Sequence, residues 1–544
     1  MFGKILALGL SVAAVAGLAT PCWSQEKPAV IYTKANAPAA PKLDDLPLKT
    51  SVSQYGMTWT FDKPARVGQF VNGDFYVVGP VTITEITPKP LYGAEIPADQ
   101  FDPNEKDRPV KDRIRNGFML NPPAARKVSY DDVVHNWFDP ALIQKLPVSM
   151  KPGDSLVSTI SVPMGNVPFV PPLREQQSRF NPKDESRGAP GTDSSPVKDA
   201  AVLTCVAEPQ PADAFRPAFC DRTQKIFLAR NLKRELLPSL AAPADTPKLS
   251  QYIRYTQRPW VNTGFFGHDQ PADNMPWYGR EIGRVVGAAG VLLCCNFTPE
   301  QKEPLLDNLV QVGIDLGGII RAGHPGWFCW GGHGSGRKFP IVFAGILLGD
   351  EELANINKFC PKACFGEDEQ TAYGNSWTGA KVVFTGHSGI DEVTGIGRDY
   401  VRTNDAWGPY EHTPPTAWGP GQKTSEAYRR TCCGNGWVAQ VLALHFLHAE
   451  KTWNHDAFFD YIDRWMYEND GPPTKAIKAA TGAGYDEDWC QEGSCPEKFV
   501  NEMWAKYRAG PGMPPIDGWK QQHDDTYYTT AVEKELKNPG QRGR

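Results

Sequence analysis

The chain has 544 residues, with 57 basic against 62 acidic side chains and a formal net charge of −5. That balance, without a basic run, excludes a nucleic-acid partner recruited through phosphate charge. Once a leader is removed about 520 residues remain, too many for one simple core, so two domains with connectors are expected.

Lys4 precedes an apolar run from Ile5 to Ala19 that is too short to span a bilayer comfortably and gives way to polar residues. This is the pattern of a cleaved secretory signal over residues 1–24, with small residues near Ser24 suited to the cleavage. Pro21 stands where a lipoprotein would place a small residue before Cys22. No later segment is apolar enough for a membrane helix, so a secreted or periplasmic protein without a membrane span is expected.

Residues 25–50 read as a tether rich in Ala, Pro and Lys. From 51 to 165 the pattern is β: Thr58–Phe61 and Val81–Thr84 alternate, Asn72-Gly73 marks a turn between apolar runs, and Lys151–Asp154 turns into Ser155–Ile160. Short strands with Gly and Pro punctuation predict a β-sandwich. Residues 166–200 are polar and proline-rich, a linker. From Cys205 the helical period takes over: Ala229–Leu240, Tyr278–Cys295, a helix capped at Thr298-Pro299-Glu300 and running to about Ile320, then Phe339–Leu348, Gly436–Ala449 and Ala457–Tyr467. Helices without strand alternation predict an all-α domain over 201–520, arranged as an (α/α) toroid, with 521–544 as a C-terminal tail.

Eleven cysteines lie beyond Cys22. Export favours disulfides, with Cys205–Cys220, Cys360–Cys364 and Cys490–Cys495 as local pairs, and an odd total leaves at least one thiol over. The adjacent pairs Cys294-Cys295 and Cys432-Cys433 sit on apolar segments and read as small buried residues. His445, His448 and His455 read as satisfied core or interface histidines.

The segment Tyr373–Trp437 concentrates Asn375, His387, Asp391, Glu392, Arg398, Asp399, Tyr400, Arg402, Tyr410, His412, Tyr428 and Arg429 with four tryptophans and many glycines. Core segments seldom carry so much charge, and linkers seldom carry so many rings. Titratable and aromatic groups on glycine-hinged loops suit a cleft for a polar ligand, here a sugar. A second loop, Gly323–Lys338, holds Trp330, His333 and Arg337 ahead of a helix, where backbone amides and basic groups suit an anionic ligand. It lacks the spacing of a phosphate-binding loop, and no strand–elbow–helix context supports a serine hydrolase. His324 and His333 match no standard metal spacing.

Asn274-Met275-Pro276-Trp277-Tyr278-Gly279-Arg280-Glu281-Ile282-Gly283 resembles the Asn-Trp-Trp-x-x-Glu-Ile-Gly element of toroidal polysaccharide lyases, which include chondroitin, hyaluronan and alginate lyases. The resemblance implies that Trp277 and Tyr278 stack on sugar rings. Gly386-His387-Ser388 resembles the Asn-His-Ser catalytic element of the alginate lyases, with Gly386 in place of the Asn. The order of domains differs, since the β-region here precedes the helices.

Such an enzyme removes the C5 proton of a uronic acid, neutralises the adjacent carboxylate and protonates the leaving O4. Tyrosine performs the proton transfers when nearby cations lower its pKa from about 10. Tyr428, beside Arg429 and Arg430, and Tyr410, near His412, are the candidate acid/base groups, with His387 or His412 as partner. Arg398 with Asn375 is expected to hold the carboxylate, and Arg402, Trp330, His333 and Arg337 to bind substrate. No cofactor is implied, and a divalent cation stays open. The expected partner is an acidic polysaccharide.

Two other readings compete. The same toroid supports a glycoside hydrolase with paired carboxylates, for which Asp273, Glu281, Asp391, Glu392, Asp399, Asp405 and Glu426 are available. A non-catalytic glycan-binding surface protein, acting through its β-domain, is the third.

Overall fold

The computed structural model describes residues 30–101, 108–132, 138–163, 197–261, 271, 279–390, 408–485 and 490–537. The N-terminal strands are β1 (Leu48–Gln54), β2 (Met57–Gln69), β3 (Phe75–Val78), β4 (Val81–Thr87), β5 (Leu91–Tyr92), β6 (Ile114–Arg115), β7 (Phe118–Leu120), β8 (Val148–Met150), β9 (Ser155–Ser161) and β10 (Val197–Val206). Seven of them hydrogen-bond in the order β7-β9-β10-β3-β2-β4-β8, with β1 laid against β2, while β5 and β6 form a separate ladder. The turn read at Asn72-Gly73 joins β2 to β3, and Gly73 takes the positive φ of 89° that favours glycine there.

Alternation along β2 sends Met57, Trp59, Phe61, Ala65 and Val67 to one face, where they share an apolar core with Val52, Val77, Ile83, Leu156 and Leu203. Trp59 Nε1 donates to Ser158 Oγ at 2.9 Å on β9, three strands away along the ladder. The sheet therefore curls around its own core into a nearly closed barrel. The expected β-rich N-terminal region is present, and all its strands but β5 and β6 form this one sheet.

The helical region begins later than its periodicity suggests. Cys205 lies in β10, and Ala229–Leu240 forms two 3-10 turns, Ala229–Asn231 and Arg234–Leu236, instead of an α-helix. Its amides are taken by other segments: Ala229 N donates to Asp213 O at 2.8 Å and Lys233 N to Leu347 O at 2.8 Å. With those donors engaged elsewhere, the i→i−4 ladder has no partners to continue.

The helices are α1 (Leu249–Thr256), α2 (Gly279–Leu293), α3 (Pro299–Arg321), α4 (Lys338–Leu348), α5 (Glu351–Ala354), α6 (Ile356–Phe359), α7 (Gly366–Gln370), α8 (Pro420–Tyr428), α9 (Gly434–Phe446), α10 (Glu450–Trp453), α11 (Asp456–Tyr467), α12 (Gly471–Thr481), α13 (Lys498–Tyr507) and α14 (Thr526–Lys537). Short strands β11 (Gly326–Trp327), β12 (Cys364–Phe365), β13 (Thr371–Tyr373) and β14 (Val382–Phe384) lie among them. α3 starts as its sequence predicts: Thr298 Oγ1 accepts from Gln301 N, the Gln301 side chain returns the bond to Thr298 N, and Pro299 occupies the first helical position. α14 falls within the stretch read as a tail, and its Tyr528 and Ala531 pack on Val383 and Ile390. Among the described residues no helix is long and apolar enough to cross a membrane.

The apolar, small-residue helix α2 packs on α9 through its glycines. A Cβ at Gly287 would stand 2.5 Å from the backbone nitrogen of Gln440, and one at Gly290 would stand 2.9 Å from Ala443 Cβ. Gly287→Val is therefore expected to lower stability by about 3 kcal/mol, the upper end of overpacking losses, read from the denaturation midpoint. An unchanged midpoint would mean that the α2–α9 contact relaxes freely.

Barrel and helices are tied by Arg216, whose side chain is fully buried. Its Nε donates to Asp74 in the β2–β3 turn at 2.5 Å and its Nη1 to Asp315 on α3 at 2.9 Å. Cys205 sits in the barrel core and Cys220 in the helical core. In none of the three expected pairs, Cys205–Cys220, Cys360–Cys364 and Cys490–Cys495, are the sulfurs bonded. Cys294, Cys295, Cys432 and Cys433 are buried as read. His445 Nδ1 meets Glu450 at 2.6 Å and His455 Nε2 meets Thr371 O at 2.9 Å.

Candidate functional site

The glycine-rich loop between α3 and α4 is shaped by the five-residue helix α7. Glu369 Oε2 accepts from Cys329 N at 2.8 Å, Glu367 Oε1 accepts from Gly336 N at 2.6 Å, and Asp368 Oδ2 meets Lys338 Nζ at 2.5 Å. Three consecutive acids thus fix the two ends of one loop from inside the protein. Burial pushes the Glu367 carboxyl up to about 7, against the pull of the Gly336 N–H. A Cβ at Gly334 would stand 2.3 Å from the Phe328 carbonyl oxygen, so the loop closes on itself there, and one at Gly366 would stand 3.1 Å from the Gly334 backbone.

The second loop leaves β14 at Phe384 and turns through Gly386 and Gly389, at φ 138° and 69°. Between them sits His387, whose carbonyl accepts from Gly331 N at 3.0 Å and whose N–H donates to Ser425 Oγ at 3.0 Å. Those two bonds bring three segments together. The His387 imidazole and the Tyr428 ring lie 4.2 Å apart and nearly perpendicular. Trp330 stands edge-on to His387 at 5.9 Å and beside His333 at 5.7 Å. His387 is 1% exposed, whereas Trp330, His333 and Tyr428 are half-buried. Burial holds the His387 pKa well below the usual imidazole range, and the His333 charge adds to that, so His387 is neutral at neutral pH.

Two features close the arrangement from below. α8 passes into α9 through a π-helical turn, Arg429–Cys433, directly after Tyr428. Arg280, in the first turn of α2, donates from Nη1 to Thr431 O in that turn at 2.8 Å. Gly279 abuts the carbonyls of Gly332 and His333, so the resembling element ends against the same loop. Gly331 has φ 54°, and a Cβ there would lie 2.3 Å from Tyr428 Cδ1. Gly331→Ala is expected to displace the Tyr428 ring and reduce turnover more than tenfold, because positioning losses of this size follow displacements of about 1 Å. Turnover close to wild type would show that the Tyr428 ring need not be held there.

The other candidates lie elsewhere. Tyr410 is fully buried: its hydroxyl donates to Glu426 Oε2 at 2.6 Å and its ring packs on Phe384 and Trp418. Burial and the Glu426 charge drive its pKa well above the ordinary tyrosine value, the reverse of the lowering expected from neighbouring cations. His412 faces Tyr528, with Nδ1 3.5 Å from its hydroxyl. Asn375 is exposed on the β13–β14 hairpin and accepts from Lys381 Nζ at 2.8 Å. Arg337 is fully buried and caps carbonyls of its own loop, donating to His333 O and Ser335 O at 2.6 Å, so it does not present a free guanidinium to a ligand. His324 Nδ1 accepts from Gly326 N at 3.1 Å, and its ring packs on Trp327. Trp277, Tyr278, Arg398 and Arg402 lie outside the described residues, as do Asp273, Asp391, Glu392, Asp399 and Asp405. The two described acids of the hydrolase reading are paired, Glu281 with Arg280 and Arg284, and Glu426 with Arg429 and Arg430.

Sequence reasoning passed over α7 and Ser425. Nothing in the spacing of Glu367-Asp368-Glu369 announces burial. Ser425 lies three residues before Tyr428, a spacing that places both on one helix face and was available as a signal. No protein-family model, no curated protein and no solved structure matches this chain.

Proposed function

We propose that this chain is a secreted enzyme that degrades a uronic-acid-containing polysaccharide by β-elimination, with Tyr428 as the proton-transfer group and His387 as its partner. The observation that carries the reading is the convergence of Tyr428, His387, Trp330 and His333 from three separate segments. Trp330 offers an apolar face to a sugar ring, and His333 beside it offers a donor to the uronate carboxylate. Tyr428, as the phenolate, takes the C5 proton, the electron pair forms the C4–C5 double bond, the C4–O4 bond breaks, and the Tyr428 phenol so formed returns the proton to the departing oxygen. A neutral His387 against the Tyr428 ring adds no charge that would compete for the carboxylate. The packing of α2 on α9 and of α3 on α4 supports a paired-helix toroid as the scaffold.

The test offers alginate, glucuronan, chondroitin, hyaluronan and pectate to the purified mature chain and follows the ultraviolet absorbance of the unsaturated uronate. A rise with one polymer, with new ends in equal number, is expected. New reducing ends on a neutral glycan without that absorbance would replace the lyase reading with hydrolysis. Binding without either product would leave a glycan-binding protein.

A further inference from the structure

We infer that Ser425 and Gln370 are positioning residues that clamp the His387 backbone from opposite sides and so set its imidazole against Tyr428. The inference rests on the assignment of Tyr428 and His387 as the proton-transfer pair.

Both side chains are buried and both address the backbone of His387. Ser425 Oγ accepts the His387 N–H at 3.0 Å. Gln370 Nε2 donates to the His387 carbonyl at 3.0 Å and to the Gly386 carbonyl at 3.3 Å. Gly331 N, from the loop that bears Trp330 and His333, also donates to that carbonyl at 3.0 Å. Ser425 belongs to α8, three residues ahead of Tyr428, so it and the phenol ride on one face of one helix. Gln370 closes α7, and its Oε1 faces Cys433 Sγ at 3.8 Å in the π-helical turn that follows Tyr428. Each clamp residue therefore ties His387 to the element that carries its partner.

The loop is braced through backbone as well. Thr385 N donates to Gln370 O at 3.0 Å and Ile390 N to Glu369 O at 2.6 Å, both through backbone. Those bonds set the course of the chain whatever side chains are present. At His387, between two positive-φ glycines, side chains brace the N–H and the carbonyl of one residue. A rotation there would swing the imidazole away from the phenol without unfolding the loop.

The experiment uses the mature full-length chain carrying 13C-labelled histidine. The His387 ring signal, identified by its loss in His387→Asn, is expected to be displaced by the ring current of Tyr428. Ser425→Ala should abolish much of that displacement, lower kcat about tenfold on the elimination substrate, and leave KM within about twofold, as misorientation of a bound reactant predicts. Ser425→Thr, which keeps the acceptor, should restore both. Gln370→Glu, isosteric but without the donor, should reproduce the Ala effects and serves if Ser425→Ala does not fold. An unmoved ring signal in folded Ser425→Ala and Gln370→Glu overturns the clamp. A moved signal with unchanged kcat overturns the assignment of His387 and the inference with it. If no polymer is cleaved by the wild-type chain the function reading fails, and the ring signal still decides whether the clamp exists.

Discussion

Tyr428→Phe is expected to lower turnover by about 10³-fold or more while leaving the denaturation midpoint almost unchanged. The ring is held by packing: it fills the space opposite Gly331 and meets the His387 imidazole at 4.2 Å, and both contacts survive loss of the hydroxyl. What disappears is the group proposed to take the C5 proton, and general acid–base groups contribute about 10²–10⁴. KM should stay within a few-fold, because the proposed sugar contacts, Trp330 and His333, are untouched by the change. Tyr410→Phe supplies the contrast. That hydroxyl donates to buried Glu426, so its removal is expected to cost about 1–2 kcal/mol of stability and little turnover. If instead Tyr410→Phe abolishes cleavage and Tyr428→Phe does not, the site lies on the other side of α8.

The sequence placed two tyrosines next to cations and offered no way to choose between them. Tyr428 precedes Arg429 and Arg430 in the chain, yet consecutive helical residues point in different directions. The two guanidiniums turn inward to Glu426, Glu492 and Asp470, while Tyr428 turns to His387. Helices were legible where local chemistry decides them: Thr298-Pro299 begins α3, and the small residues of Gly279–Leu293 allow α2 to approach α9. Ala229–Leu240 misled because leucines at helical spacing also suit a chain broken into two 3-10 turns that lends its amides to the Asp213 and Leu347 carbonyls. Glu367-Asp368-Glu369 carries no sequence signal of its buried role. Charge predicts exposure only when no buried amides or ammonium need a partner, and the Cys329 amide, the Gly336 amide and Lys338 need all three acids. His387 was found through a three-residue resemblance. Ser425, Gln370 and Gly331, which orient it, come from three segments that only the fold brings together.

Glu426→Ala carries the largest expected loss of stability. The carboxylate accepts from Arg429 Nε at 2.8 Å, from Arg430 Nε at 2.6 Å and from the Tyr410 hydroxyl at 2.6 Å, all buried. Arg429 and Arg430 would keep Glu492 and Asp470 but lose the group they share. Breaking a buried pair by removing one partner costs about 3–5 kcal/mol, so the variant should be strongly destabilised or fail to fold at moderate temperature. pH offers a gentler form of the same test. The two guanidiniums hold the Glu426 carboxyl down to about 2, below its ordinary 4.5. A depressed acid contributes stability that is fully present above its unfolded pKa and is lost as pH falls through its folded one. The loss should therefore develop between about pH 4.5 and pH 2 and reach about 3 kcal/mol, at about 1.4 kcal/mol per unit. Glu426→Gln, neutral at every pH, should be less stable than wild type at pH 6 and should converge with it toward pH 2. Parallel stability curves for the two proteins across that window would show that Glu426 is not charged in the fold. The buried cluster would then be held by Asp470 and Glu492 alone, and the wall behind Tyr428 would owe its rigidity to packing instead of charge.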